Sequence, residues 1–275
     1  MGLAGRYGLN APPRRRFPAA LAPAPTRGGS APALNRPQRP LADAAREAAR
    51  RSAPTGLGLD SSAVRARMVQ RLRADGIGDE RVLAAFGDVL RHRYVDSALA
   101  TQAYEDTSLP IGLGQTISKP SVVARMLALA LASAAAQQRG SLGRVLEIGT
   151  GCGYQTALLA RLGRSVVSIE RLQPLHEKAR ANLADDAGRA RVRLVWGDGR
   201  IGHGPQAPYD TIVAAAGGED VPPAWLAQLA DGGRLVAPVH QGAQQALVVI
   251  DRVGERYLRQ RCETVLFVPL KSGVE

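Results

Sequence analysis

Two cysteines in 275 residues, Cys152 and Cys262, are too few for a disulfide framework. That excludes a small stapled secreted scaffold and fits a reduced, cytoplasmic setting. No apolar run reaches the ~20 residues that a membrane helix needs. The most apolar stretch, residues 122–136, is alanine-rich and interrupted by Arg125, so it reads as one buried helix. No His or Cys pair stands at ligand spacing, and His92 reads as a packed or surface histidine, so no metal is expected. Basic and aromatic residues do not interleave in the manner of single-strand binding platforms. Neither a membrane nor a stable nucleic-acid partner is therefore expected, and the chain reads as a monomer.

A net charge of +12 argues the other way until it is located. Residues 1–54 carry ten arginines against Asp43 and Glu47, a balance of +8, which leaves +4 for the remaining 221 residues. The excess belongs to the start of the chain. Nine of the eighteen prolines lie there too. Such a segment buries too little apolar surface to offset its ordering entropy. Residues 1–60 are accordingly expected to form a disordered Pro/Arg/Ala-rich tail, with helical character only at 41–51. It looks somewhat like a transit peptide but lacks an amphipathic face. Met68 is a plausible alternative start. Residues 61–275 are expected to form the catalytic domain.

Past the tail, Ser61 or Ser62 is suited to cap a helix reaching Arg73. Asp79 is suited to cap a second, with Val82, Leu83, Phe86 and Leu90 on one face. These two helices lack catalytic residue types and are expected to form a lid or an edge layer. A long loop, apolar for a surface linker, then ends near Pro120, which opens the next helix. From residue 145 onward strands and helices alternate. Strands are expected at 145–148, 165–169, 192–196, 209–214 and 234–237, with helices at 154–161, 174–184 and 222–229. Residues 245–252 and 261–268 read as a closing hairpin. The expected fold class is α/β: a doubly wound, mostly parallel sheet with N-terminal helices and a C-terminal antiparallel hairpin.

The chemistry centres on Val145-Leu146-Glu147-Ile148-Gly149-Thr150-Gly151-Cys152-Gly153-Tyr154. An apolar strand runs into a glycine turn and opens a helix. This is the first unit of a nucleotide-binding sheet. Glycines let a ligand approach the backbone, and the helix start offers unpaired N–H groups. The spacing is G-x-G-x-G, so the dinucleotide pattern is missing. Ligands in such sheets lie outside the carboxyl ends of the strands. There the sequence offers Glu147, then Glu170, nineteen positions after Gly151, as an acceptor for ribose hydroxyls. Asp198, between Gly197 and Gly199, is offered as an acceptor for an adenine amino group. A pyrophosphate would be repelled by Glu147, whereas a sulfonium with an amino-acid tail would not. This favours S-adenosylmethionine, with Glu147, Gly149, Thr150, Gly151, Glu170, Asp198 and Gly199 as its expected site.

From Val64 to Leu270 the sequence resembles the protein-L-isoaspartate O-methyltransferase family. The most specific part is Leu109-Pro110-Ile111-Gly112 through Gln115-Thr116-Ile117-Ser118, followed by the helix at Pro120. The glycine turn through Tyr154-Gln155-Thr156-Ala157, Gly197-Asp198-Gly199 and Phe267-Val268-Pro269-Leu270 are similar to further family signatures. Ala216-Gly217-Gly218-Glu219 departs from the family's usual Ala-Pro-Pro, so extra freedom is expected in that wall. The resemblance implies methylation of the α-carboxylate of L-isoaspartyl residues in damaged proteins and peptides. It implies Ser118 as the catalytic residue and Thr116, Ile117 and Val268 as substrate-binding. Ser118 is also placed to help cap the Pro120 helix.

The alternatives are a methyltransferase acting on RNA or a small molecule, a non-catalytic S-adenosylmethionine-binding module, and a nicotinamide dehydrogenase. The Gln115 to Ser118 loop opposes the first, the intact candidate site the second, and Glu147 with the glycine spacing the third.

Overall fold

The computed structural model describes residues 62–242 and 244–275. The expectations for residues 1–60, including the helical character at 41–51, lie outside the described residues.

Helices α1 (Ser62–Ala74) and α2 (Glu80–Asp88) come first. Asp79 caps α2 by accepting from the Arg81 N–H. Met68 and Leu72 of α1 and Val82, Leu83 and Phe86 of α2 enter the same core as the sheet, so the pair forms a packed layer. Leu90, expected on that face, lies past the end of α2, and Val89 is the residue buried there.

The long loop before Pro120 is not irregular. It holds a two-stranded antiparallel hairpin, β1 (Leu109–Gly112) and β2 (Gln115–Ile117). Its turn has positive φ at Gly112, Leu113 and Gly114. Residues 122–136 are two helices rather than one: α3 (Pro120–Leu131) and α4 (Ala134–Arg139). The break falls where Ser133 turns extended and its side chain accepts from the Ala136 N–H, capping α4.

The central sheet has the order β5-β4-β3-β6-β7-β8-β9. Its strands are β3 (Arg144–Ile148), β4 (Ser165–Glu170), β5 (Val192–Trp196), β6 (Tyr209–Ala214), β7 (Leu229–Gln241), β8 (Gln244–Val253) and β9 (Arg256–Val265). Pairing is parallel from β5 through β7 and antiparallel across β7, β8 and β9. The closing hairpin of β8 and β9 extends farther toward its turn than the expected 261–268, because β9 starts at Arg256, but it stops at Val265; β7 is also longer than expected, starting at Leu229. Helices α5 (Tyr154–Leu162), α6 (Gln173–Asn182) and α7 (Pro223–Gln228) complete the α/β units.

Side-chain alternation splits the strands between two cores. Val145, Val166 and Val213 join the core that holds α1, α2 and α5. Leu146, Ile148, Val167, Ile169 and Ile212 join the other, with Trp225 of α7. The chain runs outward through β3, β4 and β5, then returns to place β6 on the other side of β3. The crevice at this reversal is where an α/β sheet offers a ligand site.

Candidate active site

A cavity of about 900 Å³, its open mouth included, occupies this crevice. The turn after β3 lines it with Gly149, Thr150 and Gly151, the end of β4 with Glu170, and the turn after β5 with Gly199. Thr116, Ile117, Ser118 and Val268 line it as well. The structure thus brings the glycine turn and the Gln115–Ser118 loop to one space.

Two of the three carboxylates do not reach that space. Glu147 shares strand parity with Val145 and is fully buried between β4 and α5. Its Oε2 accepts from Thr156 Oγ1 at 2.5 Å and from Ser168 Oγ at 2.6 Å, while its Oε1 makes no hydrogen bond of ordinary geometry among the described residues, with only Gln155 near enough to act on it. Burial pushes its carboxyl up to about 7, against the pull of the Ser168 and Thr156 hydroxyls and the Gln155 amide. Glu147 is therefore not the fixed negative charge at the cavity that would repel a pyrophosphate. Glu147 reaches the cavity only indirectly: Ser168 also bonds Thr150 Oγ1 at 2.6 Å, and Thr150 is in the lining.

Asp198 is likewise turned to other work. Its Oδ1 accepts from Arg200 N at 2.8 Å, capping the short turn Gly199–Ile201, and its Oδ2 accepts from Gly273 N at 2.7 Å. It clamps the segment that brings Leu270 and Lys271 to the cavity edge. Arg171 holds the same segment, donating to Glu275 Oε1 at 2.7 Å.

Glu170 alone of the three faces the cavity. Its Oε2 accepts from Gly151 N at 2.8 Å and its Oε1 from Leu172 N at 3.0 Å. Each carboxylate oxygen has two lone pairs, so one on each oxygen stays available. Gly151 has φ +56°, and a Cβ there would meet Ile111 Cδ1 at 3.2 Å. The turn is thus packed against the β1–β2 hairpin. Lys178 of α6 fastens that hairpin by donating to the Ile111 carbonyl at 3.0 Å.

Ser118 is not the helix cap. Residue Lys119 occupies the N-cap of α3 and makes no side-chain cap. Asp106 serves instead, accepting from Ser121 N at 2.8 Å and Ser121 Oγ at 2.7 Å. Among the described residues the Ser118 hydroxyl has no hydrogen-bond partner, and it borders the cavity. Its backbone is committed, since the Ser118 carbonyl accepts from Arg91 Nη2 at 2.8 Å.

Gly217 and Gly218 do not loosen the opposite wall. Gly217 N donates to the Val268 carbonyl at 2.9 Å, and Leu270 N donates back to the Gly217 carbonyl at 2.8 Å. Gly218 bridges to Val239 on its other side. Glycine is needed for closeness: a Cβ on Gly217 would stand 2.8 Å from Gln245 Nε2. Gln245 in turn clamps Phe267, accepting its N–H at 2.7 Å and donating to its carbonyl at 3.1 Å. Sequence reasoning missed Gln245, Lys178, Cys152 in the lining, and the buried Arg91. Among the described residues no cluster of three His, Cys, Asp or Glu is placed to hold a metal. None of the helices there is long and apolar enough to cross a membrane.

Residues 63–275 match the family model described as protein-L-isoaspartate(D-aspartate) O-methyltransferase. The chain belongs to this family. It is 62% identical over 252 residues to a protein-L-isoaspartate O-methyltransferase of Methylibium petroleiphilum, with 90% of this chain and 92% of the relative covered. A solved protein-L-isoaspartate O-methyltransferase superposes with TM-score 0.67 at 27% identity, over 76% of this chain and 67% of that one. A second, from Plasmodium falciparum and solved with S-adenosyl-L-homocysteine, gives TM-score 0.65 at 22% identity over 74% and 97%, which shows the shared fold.

Proposed function

We propose that this chain is a protein repair enzyme that methylates the α-carboxylate of L-isoaspartyl residues, with S-adenosylmethionine as methyl donor. The carrying observation is the uncommitted Ser118 hydroxyl on the same cavity as Glu170 and the glycine turn. The cavity fits the donor: Glu170 keeps acceptor capacity for a ribose diol, and Gly149, Thr150 and Gly151 line it without bulk. S-adenosylmethionine, when bound, supplies a methyl group on a positively charged sulfur. The residues of this chain do the rest by positioning. An α-carboxylate is already ionised at neutral pH, so no side chain has to take its proton. Ser118 donates to one carboxylate oxygen and aims the other at the methyl. Ile117 and Val268 exclude water from the nucleophile. Alignment of this kind supplies up to about 7–11 kcal/mol of a barrier. The methyl ester then closes without the enzyme to a succinimide, as the backbone nitrogen of the peptide bond to the side chain attacks the ester carbonyl and expels methanol, and hydrolysis of the ring returns part of the normal aspartyl peptide.

The test offers labelled S-adenosylmethionine with an isoaspartyl peptide, its aspartyl twin and total RNA. Label in the isoaspartyl peptide alone is expected. Label in RNA, or equal label in both peptides, overturns the reading.

A further inference from the structure

Arg91 begins the short turn Arg91–Tyr94 and is fully buried. Its hydrogen bonds all go to neutral backbone carbonyls. Nε donates to Ala103 at 2.8 Å, and Nη2 to Ser118 at 2.8 Å and to Thr107 at 3.4 Å. The guanidinium lies 4.8 Å from the centroid of the Tyr154 ring, and the buried, neutral Tyr154 hydroxyl is close enough to act on it, although neither it nor Nη1 makes a hydrogen bond of ordinary geometry among the described residues. Both Tyr154 and Ser118 line the cavity.

No carboxylate pairs with this cation among the described residues. Asp106, the carboxylate that acts on it from farther off, is held by the N–H and hydroxyl of Ser121. Arginine stays protonated under such conditions. A buried charge without a counter-ion is costly, and carbonyls with a ring face offset only part of that cost. Tying residues 103, 107 and 118 together does not require a charge, since a neutral donor makes the same bonds. An anion arriving at Ser118 supplies the missing partner.

We propose that Arg91 is the positioning residue of the acceptor site, fixing the Ser118 backbone and setting an uncompensated positive charge behind the methyl-accepting carboxylate. This rests on the isoaspartyl reading above. The consequence is specific. The acceptor's negative charge disappears as the ester forms, so Arg91 attracts the ground state more than the transition state. Its charge therefore acts on peptide affinity, and its hydrogen bond to Ser118 acts on turnover.

The experiment measures the dissociation constant of an isoaspartyl peptide by calorimetry with S-adenosylhomocysteine bound, and KM and kcat separately. Variants R91K and R91Q are compared with the native chain, beside the peptide's α-carboxamide twin. R91Q is expected to weaken peptide binding and raise KM by about tenfold or more, whereas R91K stays within about threefold. Affinity for S-adenosylhomocysteine stays unchanged in both. The native chain prefers the carboxylate peptide over its carboxamide, and R91Q loses that preference. Unchanged peptide affinity in R91Q, or equal losses in R91K and R91Q, overturns the proposal. Equal affinity of the native chain for carboxylate and carboxamide peptides overturns it too, even where neither variant folds. Absence of native turnover on the isoaspartyl peptide sinks the functional reading itself. Native turnover with an unaffected R91Q sinks only the role of Arg91.

Discussion

Gly151 donates its backbone N–H to Glu170 Oε2 at 2.8 Å, so the glycine turn and the tip of β4 form one hydrogen-bonded unit. The same carboxylate holds the Leu172 N–H at the approach to α6. Ligand binding and local structure therefore depend on one side chain.

That dependence makes Glu170→Ala a double loss. It removes the ribose acceptor and strips two backbone N–H groups of their partner. Affinity for S-adenosylhomocysteine is expected to fall about tenfold to a hundredfold, and stability by about 1–3 kcal/mol. Calorimetry and thermal unfolding read the two effects separately. Full affinity with lowered stability would leave Glu170 as a structural residue only.

Ser118→Ala tests the opposite kind of residue. Its hydroxyl serves no hydrogen bond among the described residues, and Asp106 caps the helix. The substitution should leave the melting temperature and S-adenosylhomocysteine affinity in place, while kcat on an isoaspartyl peptide falls about tenfold to a hundredfold. A lowered melting temperature with normal kcat would mean that the hydroxyl supports the fold instead.

Most of the parallel sheet was legible because β3, β4 and β5 are short apolar runs ended by glycine or acid, and β3, β4 and β6 are each followed by a helical period. The β1–β2 hairpin was not. Its strands are four and three residues long, and its turn puts Leu113 at φ +53° between two glycines, which no sequence pattern announces. The strand-end acids were legible as residues but not as directions. Glu147 shares parity with Val145, and α5 covers that face with Thr156. Asp198 met the commoner fate of an acid before a turn and became a cap. Arg91 is indistinguishable in sequence from Arg93, because the carbonyls that hold it come from residues 103, 107 and 118.

Gln245 makes the wall behind Val268 testable. It is 5% exposed and pairs both backbone groups of Phe267. Gln245→Ala leaves a buried N–H and carbonyl without partners, a cost of about 1–3 kcal/mol. In a domain of this size the melting temperature should drop by about 2–10 °C. KM for the peptide should rise while S-adenosylhomocysteine affinity holds, since the glycine turn is untouched. An unchanged melting temperature would show that Phe267 is held by other means.

Glu147 gives the pH dependence. Its carboxyl is pushed up to about 7 by burial, from an ordinary 4.5. The native state thus holds a proton that the unfolded chain releases between these values. Where the native state binds more protons, stability falls as pH rises. The contribution is present below pH 4.5 and is lost as pH climbs through 7, amounting to about 3 kcal/mol for a displacement of this size. Above pH 7 the native chain carries a buried carboxylate whose Oε1 makes no hydrogen bond of ordinary geometry among the described residues. Glu147→Gln keeps an acceptor toward Thr156 and Ser168 and does not titrate. Thermal unfolding from pH 5 to pH 8 should show the native melting temperature falling more steeply than that of Glu147→Gln, with the two converging or crossing at the alkaline end. Every other titratable group is common to both chains and cancels in the comparison. Parallel curves would mean that Glu147 ionises at its ordinary value, and that the hydroxyls of Thr156 and Ser168 outweigh its burial.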